Sequence, residues 1–576
     1  MRDVLRRAAL VVLVAAAVGA MAFAAGQPET TAPETRVNPP GTFPIVDQMV
    51  TIDVWTTYGA AGHDGNYQGA AFTQWYEDLT NVRVNFVEIV EAGMLQERLN
   101  LVLASGDLPD VFMNQQMLTH QQVYTNGLFG NFIPVDDLIE NWMPALSARL
   151  AEAPEYANQL VMPDGKRYTF PSLEGNCYHC TLSRKMWVYM PWLEQLGLDV
   201  PQTTEEFYRM LVAFRDRDPN ETGRPDTIPL ATAASGAWRG GPLGEYLMSA
   251  FIYTDATNFL MRTGDTLQFV ATTPEWRDGV RYMARLYREG LFLPDSFTQD
   301  RAQLVALVES PGPALVGAVN AGWYGVFSIN SWDGSGRFAD FHPIPPLAGP
   351  AGVRQAVFAP HSTVPHTVIT RSARHPEVIA RWNDWFYESL ENFLLADRWE
   401  RPDVHFRFLT AEERASGLFL GRDGLPAEIV AIPDAPPTQR FGEDRAWDGW
   451  RRLKPVWITG GGGALNPATI DDPTDQEWRL ARDTRSLYQP YQVDRHLPAA
   501  LVVEDRFQDE LADLQALLIS VAGSPGLVER YYAEFVTGAR NIDSDAEWNA
   551  YVRELERAGA ARYAQIWQET LRSAGY

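Results

Sequence analysis

From Asp218 the chain reads D-P-N-E-T-G-R-P-D, a stretch in which side chains bearing oxygen alternate. Asp218, Asn220, Thr222 and Asp226 stand at loop positions 1, 3, 5 and 9, Gly223 at position 6, and Arg224 offers a backbone carbonyl from position 7. Short loops wrap calcium in this way: a glycine permits the sharp turn while alternate oxygens converge on a hard cation. Position 12, where a bidentate Glu usually completes the shell, is Pro229. A polar turn after a helix is the competing reading.

Cys177-Tyr-His-Cys180 holds both cysteines of the chain. A C-x-x-C pair can be a redox couple, half of a zinc site or a small local disulfide; zinc would need two further ligands, and only His179 is close in sequence. In an exported chain the disulfide is the expected state. Gly460 to Gly463 invite a phosphate-loop reading, but no Gly-Lys-Ser/Thr follows, so a mobile loop is expected instead.

With 18 Trp and 22 Tyr the chain has aromatic side chains to spare for stacking on the apolar faces of a sugar. Trp238 and Arg239 sit in a loop of small residues, Ala231 to Leu243. Trp447, Trp450 and Trp457 precede the glycine run and could close over a ligand. Only three lysines are present, so an acidic ligand would have to be clamped by arginine, with Arg184 and Arg239 the candidates.

Elements that would position these groups are legible along the chain. Val50 to Trp55 is a β-branched strand; a helix carrying Phe72, Trp75, Tyr76 and Leu79 follows, then a strand over Val82 to Val90. A second helix buries Leu95, Leu99 and Val102 and stops at Gly106, before a strand from Asp110 to Met113. Alternation at this spacing predicts a parallel sheet with crossover helices. Ligands in such sheets lie beyond the carboxyl ends of strands, which selects Trp55, Thr56 and Tyr58 after the first strand and Asn114 and Gln115 after the third. Ahead of the oxygen-rich loop, Thr203 and Glu206 have capping-box spacing and Phe207, Met210, Leu211 and Phe214 form one apolar stripe. Ser544 and Glu547 repeat the capping pattern before a stripe of Trp548, Val552 and Leu555.

Arg2, Arg6 and Arg7 followed by an apolar run ending Ala22-Phe23-Ala24 have the form of a signal peptide, with cleavage expected after about Ala24 and a periplasmic destination. Neither cysteine stands at the new N-terminus, so a lipid anchor is not expected. A formal net charge of −25 disfavours nucleic acid and anionic membrane surfaces as partners.

The helix W-L-x-x-L-G-L-x-V-P-x-T-x-E-E followed by D-P-N-x-T-G-x-x-D-x-I-P-L resembles the family 1 extracellular solute-binding proteins of ABC importers, above all the large branch that includes the alginate-binding proteins. Asp164-Gly-Lys-Arg-Tyr-Thr-Phe-Pro, Ala104 to Phe112, Phe535-Val-Thr-Gly538 and Ser544 to Trp548 carry the same resemblance. It implies an α/β, two-lobed periplasmic binding protein of type II with a hinge and an interlobe cleft, and a structural calcium in the Asp218 loop. That branch usually has Glu where this chain has Thr227. It further implies a carbohydrate ligand, probed here by Trp323 and Tyr324 at the end of a strand, ABC permease subunits as partners, and a monomer. The expected division is a leader over 25–48, a first lobe over 49–168 and 327–395, and a second over 169–326 and 396–576. The rival is an exported glycosidase or lyase, but Glu91, Glu174 and Asp333 are not marked as the carboxylate pair that glycosidic cleavage requires.

Overall fold

The computed structural model describes residues 36–575 apart from 59–65, 92–93, 115–116, 176, 237, 256, 329–335, 420–425, 433–449, 451–452, 459–462, 465–475, 499 and 520–524. The signal segment, Gln115, Trp447 and most of the glycine run lie outside the described residues.

The β-branched runs form strands β1 (Val50–Tyr58), β2 (Val82–Glu91) and β3 (Val111–Met113), with helices α1 (Ala71–Thr80) and α2 (Leu95–Ser105) between them. Both β2 and β3 pair with β1 in parallel, as the alternation of elements predicts. Gly106 closes α2 in the left-handed conformation. Further along lie α3 (His120–Leu128), β4 (Phe170–Glu174), β5 (Met186–Tyr189), α4 (Thr204–Asp216), β6 (Ala318–Asn320), β7 (Phe341–Ile344), β8 (Val364–Ile369), α5 (Pro376–Glu388), β9 (Trp457–Ile458) and α6 (Asp505–Leu518). The first sheet has the order β9-β4-β8-β3-β1-β2, while β6-β5-β7 form an antiparallel sheet in the second lobe.

Each lobe is built on its own core. Val54, Phe72, Tyr76, Trp382, Trp385 and Trp450 pack together in the first, and Trp187, Trp192, Phe214, Trp276 and Tyr532 belong to the second. The core memberships redraw the expected boundaries. Strand β4 belongs to the first sheet, so the chain leaves the first lobe after Glu174 rather than after Tyr168. Phe327, Phe338, Phe341 and Val357 are buried in the second lobe, so the return falls just before β8. Residues 396–458, assigned above to the second lobe, contribute Ala396, Trp450, Leu453 and Trp457 to the first. The leader is also shorter than expected. Ile45 and Val46 are fully buried, Val37 bridges Val46, and Arg381 Nη2 donates to the carbonyls of Pro39 and Thr42 at 3.4 and 3.3 Å. Apolar side chains on a polar-looking segment, and a cation seeking carbonyls, anchor it.

Helix α4 begins with the reciprocal Thr203–Glu206 capping box and buries Phe207, Met210, Leu211 and Phe214. The later cap is only half formed: Ser544 accepts from the Glu547 N–H, but the Glu547 carboxylate turns to the backbone N–H of Asn541 at 2.9 Å.

Asp384 on α5 caps a neighbouring helix, accepting backbone N–H groups of Leu146 at 2.9 Å and Ala145 at 3.2 Å. Burial pushes its carboxyl up to about 6; these two hydrogen bonds pull it down, Glu388 raises it and Arg381 lowers it. A folded-state value above the unfolded one means that the native protein holds the extra proton between about pH 4 and 6. Stability therefore falls as pH rises through that window, by up to about 3 kcal/mol, and is flat above it. Thermal denaturation from pH 4 to 7 should show this fall shrinking in Asp384→Asn; a variant whose fall matches the parent's would contradict the assignment.

Candidate functional site

The carboxyl end of β6 carries Asn320, Ala321, Gly322 and Trp323, and the loop 238–241 is folded onto it. Gly322 N–H donates to the Trp238 carbonyl at 2.8 Å. A Cβ on Gly322 would lie 2.8 Å from the Ser183 carbonyl oxygen and from the Trp238 ring, and one on Gly240 would lie 2.4 Å from the Asn320 carbonyl oxygen. Two glycines thus allow the backbones to meet, and they set Trp238 against Gly322, the neighbour of Trp323. Trp238 is 41% exposed, a large flat apolar surface left to solvent. Trp323 is half-buried and rests on Tyr324 with ring centroids 5.3 Å apart.

Close to this loop lies a buried polar cluster. The Arg184 side chain, 3% exposed, places Nε 3.1 Å from Glu245 Oε1 and Nη2 3.5 Å from Asp255 Oδ1. Its Nη1 is buried with no hydrogen-bond partner among the described residues, as are Ser183 Oγ, Tyr253 OH and Asn320 Oδ1. Buried polar atoms are nearly always satisfied by protein, water or ligand, so a group of four marks a place built to meet polar partners. Arg239 stands above Arg184 in the left-handed conformation, φ +54°, which a side chain of this size adopts only when its surroundings impose it. Burial lowers its pKa, the neighbouring Arg184 lowers it further, and Glu245 and Asp255 oppose them. Sequence reasoning missed Ser183, Glu245, Tyr253, Asp255 and Asn320; of these, only Asn320 had a local signal, its place at a strand end.

On the first lobe, Tyr58 is half-buried at the end of β1. Asn114 is a strand tie: its Nδ2 donates to the Thr57 carbonyl at 2.9 Å and its backbone N–H to the His366 carbonyl at 3.2 Å. Three of the expected ligand contacts are buried. Trp55, 1% exposed, turns into the core against Phe112 and donates Nε1–H to Glu88 at 2.6 Å. Trp450 is fully buried, 5.0 Å from the Phe72 ring, with Nε1–H on Thr73 Oγ1. Tyr324 is buried under Trp323, edge-on to Trp187. A ring's place near a strand end or in an aromatic-rich stretch does not by itself say which face it takes.

The oxygen-rich loop curls through left-handed residues Asp218, Glu221 and Gly223. Asp218 accepts backbone N–H groups of Thr222 at 3.2 Å and Gly223 at 2.9 Å. Asp226 Oδ1 accepts from Asn220 Nδ2 at 2.8 Å and Thr222 Oγ1 at 2.9 Å, and Thr222 Oγ1 lies 3.3 Å from Asn220 Oδ1. The side chains of Asn220, Thr222 and Asp226 therefore converge, while the Asp218 carboxylate holds backbone N–H groups of the same turn, an oxygen-rich set of the kind a hard cation takes. The backbone N–H of Arg224 donates to Thr222 Oγ1. Arg217 donates to the Leu196 carbonyl and Gln195 to Glu221, which ties the loop to the second lobe's framework.

Cys177 and Cys180 are joined by a disulfide. They lie where the chain passes from the first lobe to the second. No helix among the described residues is long and apolar enough to cross a membrane.

No protein-family model matches the chain. It is 27% identical over 516 residues, 85% of this chain and 83% of the relative, to the fructooligosaccharide ABC transporter substrate-binding protein FusA of Streptococcus pneumoniae. The structure of FusA in complex with kestose superposes with a TM-score of 0.69 at 24% identity, covering 91% of this chain and 99% of FusA; another FusA structure is of an EF-hand mutant. An HMO-binding solute-binding protein from Bifidobacterium longum infantis gives 0.69 at 17% identity over 92% of this chain and 99% of its own. The alginate-binding protein AlgQ2 without calcium gives 0.62 at 19% identity over 91% and 98%. The resemblance read from the motifs is thereby borne out: the chain is a homologue of the substrate-binding proteins of ABC transporters and has their type II fold.

Proposed function

We propose that this protein captures an oligosaccharide between its two lobes and delivers it to the permease subunits of an ABC importer, acting as an exported binding protein without catalysis of its own. The observation that carries the reading is exposed Trp238 set against Gly322, the neighbour of Trp323, close to Ser183, Arg184, Tyr253 and Asn320, each of which keeps one buried polar atom without a hydrogen-bond partner among the described residues. Sugars present flat C–H faces and rims of hydroxyls, which such a surface can stack on and hydrogen-bond. FusA and the HMO-binding protein are named for ligands of this class. Binding energy that favours the closed arrangement of the lobes would supply the signal the permease reads. Thermal-shift screening against neutral and uronate oligosaccharides should find ligands that raise the Tm. A Tm raised by peptides and by no sugar would refute the reading.

We further propose that the Asp218 loop holds a structural calcium, with Asp218, Asn220, Thr222 and Asp226 as side-chain ligands and Arg224 supplying a carbonyl. The clustering of the Asn220, Thr222 and Asp226 side chains on one turn with Asp218, and the EF-hand of FusA, support it. The ion would brace the second lobe away from the tryptophan pair. At calcium near 100 times Kd, binding to the native state contributes about 2.7 kcal/mol. Chelation should therefore lower the Tm by roughly 2–5 °C. Thr227→Glu supplies the carboxylate usual in this branch and should tighten calcium about 10-fold, since ligand charge tunes such sites. Calorimetric titration that finds no calcium uptake by either protein would sink the proposal.

A further inference from the structure

We propose that Cys177, His179 and Cys180 form a zinc site that exists only when the Cys177–Cys180 disulfide is reduced, set into the crossing between the lobes. The ligating atoms of these three residues lie within 4.8 Å of one another, and among the described residues they are the one such group of His, Cys, Asp and Glu. His179 Nε2 is 3.5 Å from Cys177 Sγ and 3.9 Å from Cys180 Sγ. Tetrahedral zinc with Zn–S near 2.3 Å and Zn–N near 2.0–2.1 Å separates a thiolate from an imidazole nitrogen by about 3.6 Å, so the ring already stands where a third ligand belongs. The Cα atoms of the cysteines are 5.3 Å apart. Opening the S–S bond to the about 3.8 Å between two zinc-bound thiolates needs side-chain rotation rather than a new backbone path.

The backbone of this turn is held from several sides. Cys180 N–H donates to the Cys177 carbonyl at 3.0 Å, and Lys185 Nζ donates to the His179 carbonyl at 3.3 Å and to that of Leu182. The Thr181 carbonyl accepts from Ala359 N–H at 2.8 Å, which joins the outgoing crossing to the returning one. The three side chains therefore sit on a braced turn, with His179 buried and both cysteines half-buried near the surface. A fourth position is left for water or a ligand, as in three-ligand zinc sites.

The chemistry balances with a dithiol as reductant. It passes two electrons and two protons to the protein S–S bond, which breaks to two thiols while the donor closes to its own disulfide. Each protein thiol then gives its proton to solvent as zinc binds the thiolate. Bound metal would replace the covalent tie across the turn by a coordinate one.

The test is zinc uptake by the full chain, oxidised and after reduction with a water-soluble phosphine, the oxidised chain giving the background from other sites. The reduced protein should bind one zinc more than the oxidised protein. Cobalt in place of zinc should give a thiolate-to-metal charge-transfer band in the near ultraviolet. Cys177→Ser should weaken the extra site at least 100-fold and His179→Ala at least 10-fold, with circular dichroism of each variant unchanged. Equal uptake by the reduced and oxidised proteins overturns the proposal, as does unchanged affinity in His179→Ala.

Discussion

Trp238→Ala is expected to raise the Kd for the protein's oligosaccharide by roughly 10- to 100-fold, about 1.4–2.8 kcal/mol, with little change in Tm. The asymmetry follows from exposure. Trp238 leaves 41% of its surface to solvent, so little packing is lost on truncation, whereas a stacked sugar would lose the whole ring face. Trp323→Ala should weaken binding to a similar degree, but it should also lower the Tm, because that ring covers Tyr324 and crowds Gly325. Calorimetric titration beside thermal denaturation separates the two effects. Full affinity in Trp238→Ala would remove the loop 238–241 from the binding surface.

Asp397→Ala should destabilise the fold by about 3–5 kcal/mol. Asp397, on the helix Leu390–Arg398, places Oδ1 2.7 Å from Lys454 Nζ, and both side chains are buried, at 9% and 1% exposure. The ammonium also lies 4.0 Å from the Phe393 ring centroid. Truncating the acid removes the carboxylate 2.7 Å from a buried ammonium and leaves a gap beside it. Replacing both partners, as in Asp397→Leu with Lys454→Met, should cost much less. This pair also pins the segment 450–458 to the first lobe, together with the Trp450 N–H on the Ala396 carbonyl. Denaturant unfolding of the single and double variants measures the difference, and equal losses would argue that the pair is incidental.

Much of the first lobe could be read from residue order alone, because β1 to β3 are runs of β-branched residues and α1 and α2 carry clean stripes. The same holds for α4, where Thr203, Glu206 and the stripe from Phe207 to Phe214 name both the start and the buried face of the helix. Lobe boundaries were less legible. Strand β9 is two residues long, and its membership of the first sheet depends on pairing with β4, nearly 300 residues earlier. Among the candidate contacts, Trp238 lies against Gly322, the neighbour of Trp323, while Trp55, Trp450 and Tyr324 are buried. Period and composition mark a tryptophan as a large apolar group equally well in either role. What separates them is local backbone: Gly240 and Gly322 let two strands meet closely enough to hold Trp238 outside the core. The polar cluster left no pattern, since Ser183, Arg184, Glu245, Tyr253, Asp255 and Asn320 come from four separated stretches of chain.

Isothermal titration of the purified full chain with oligosaccharides, in calcium, tests the central claim most directly. Saturable one-to-one binding of at least one oligosaccharide class is expected, lost on Trp238→Ala with Trp323→Ala, with no conversion of the sugar afterwards. Recovery of cleaved sugar, or heat from peptides and from no sugar, would contradict it.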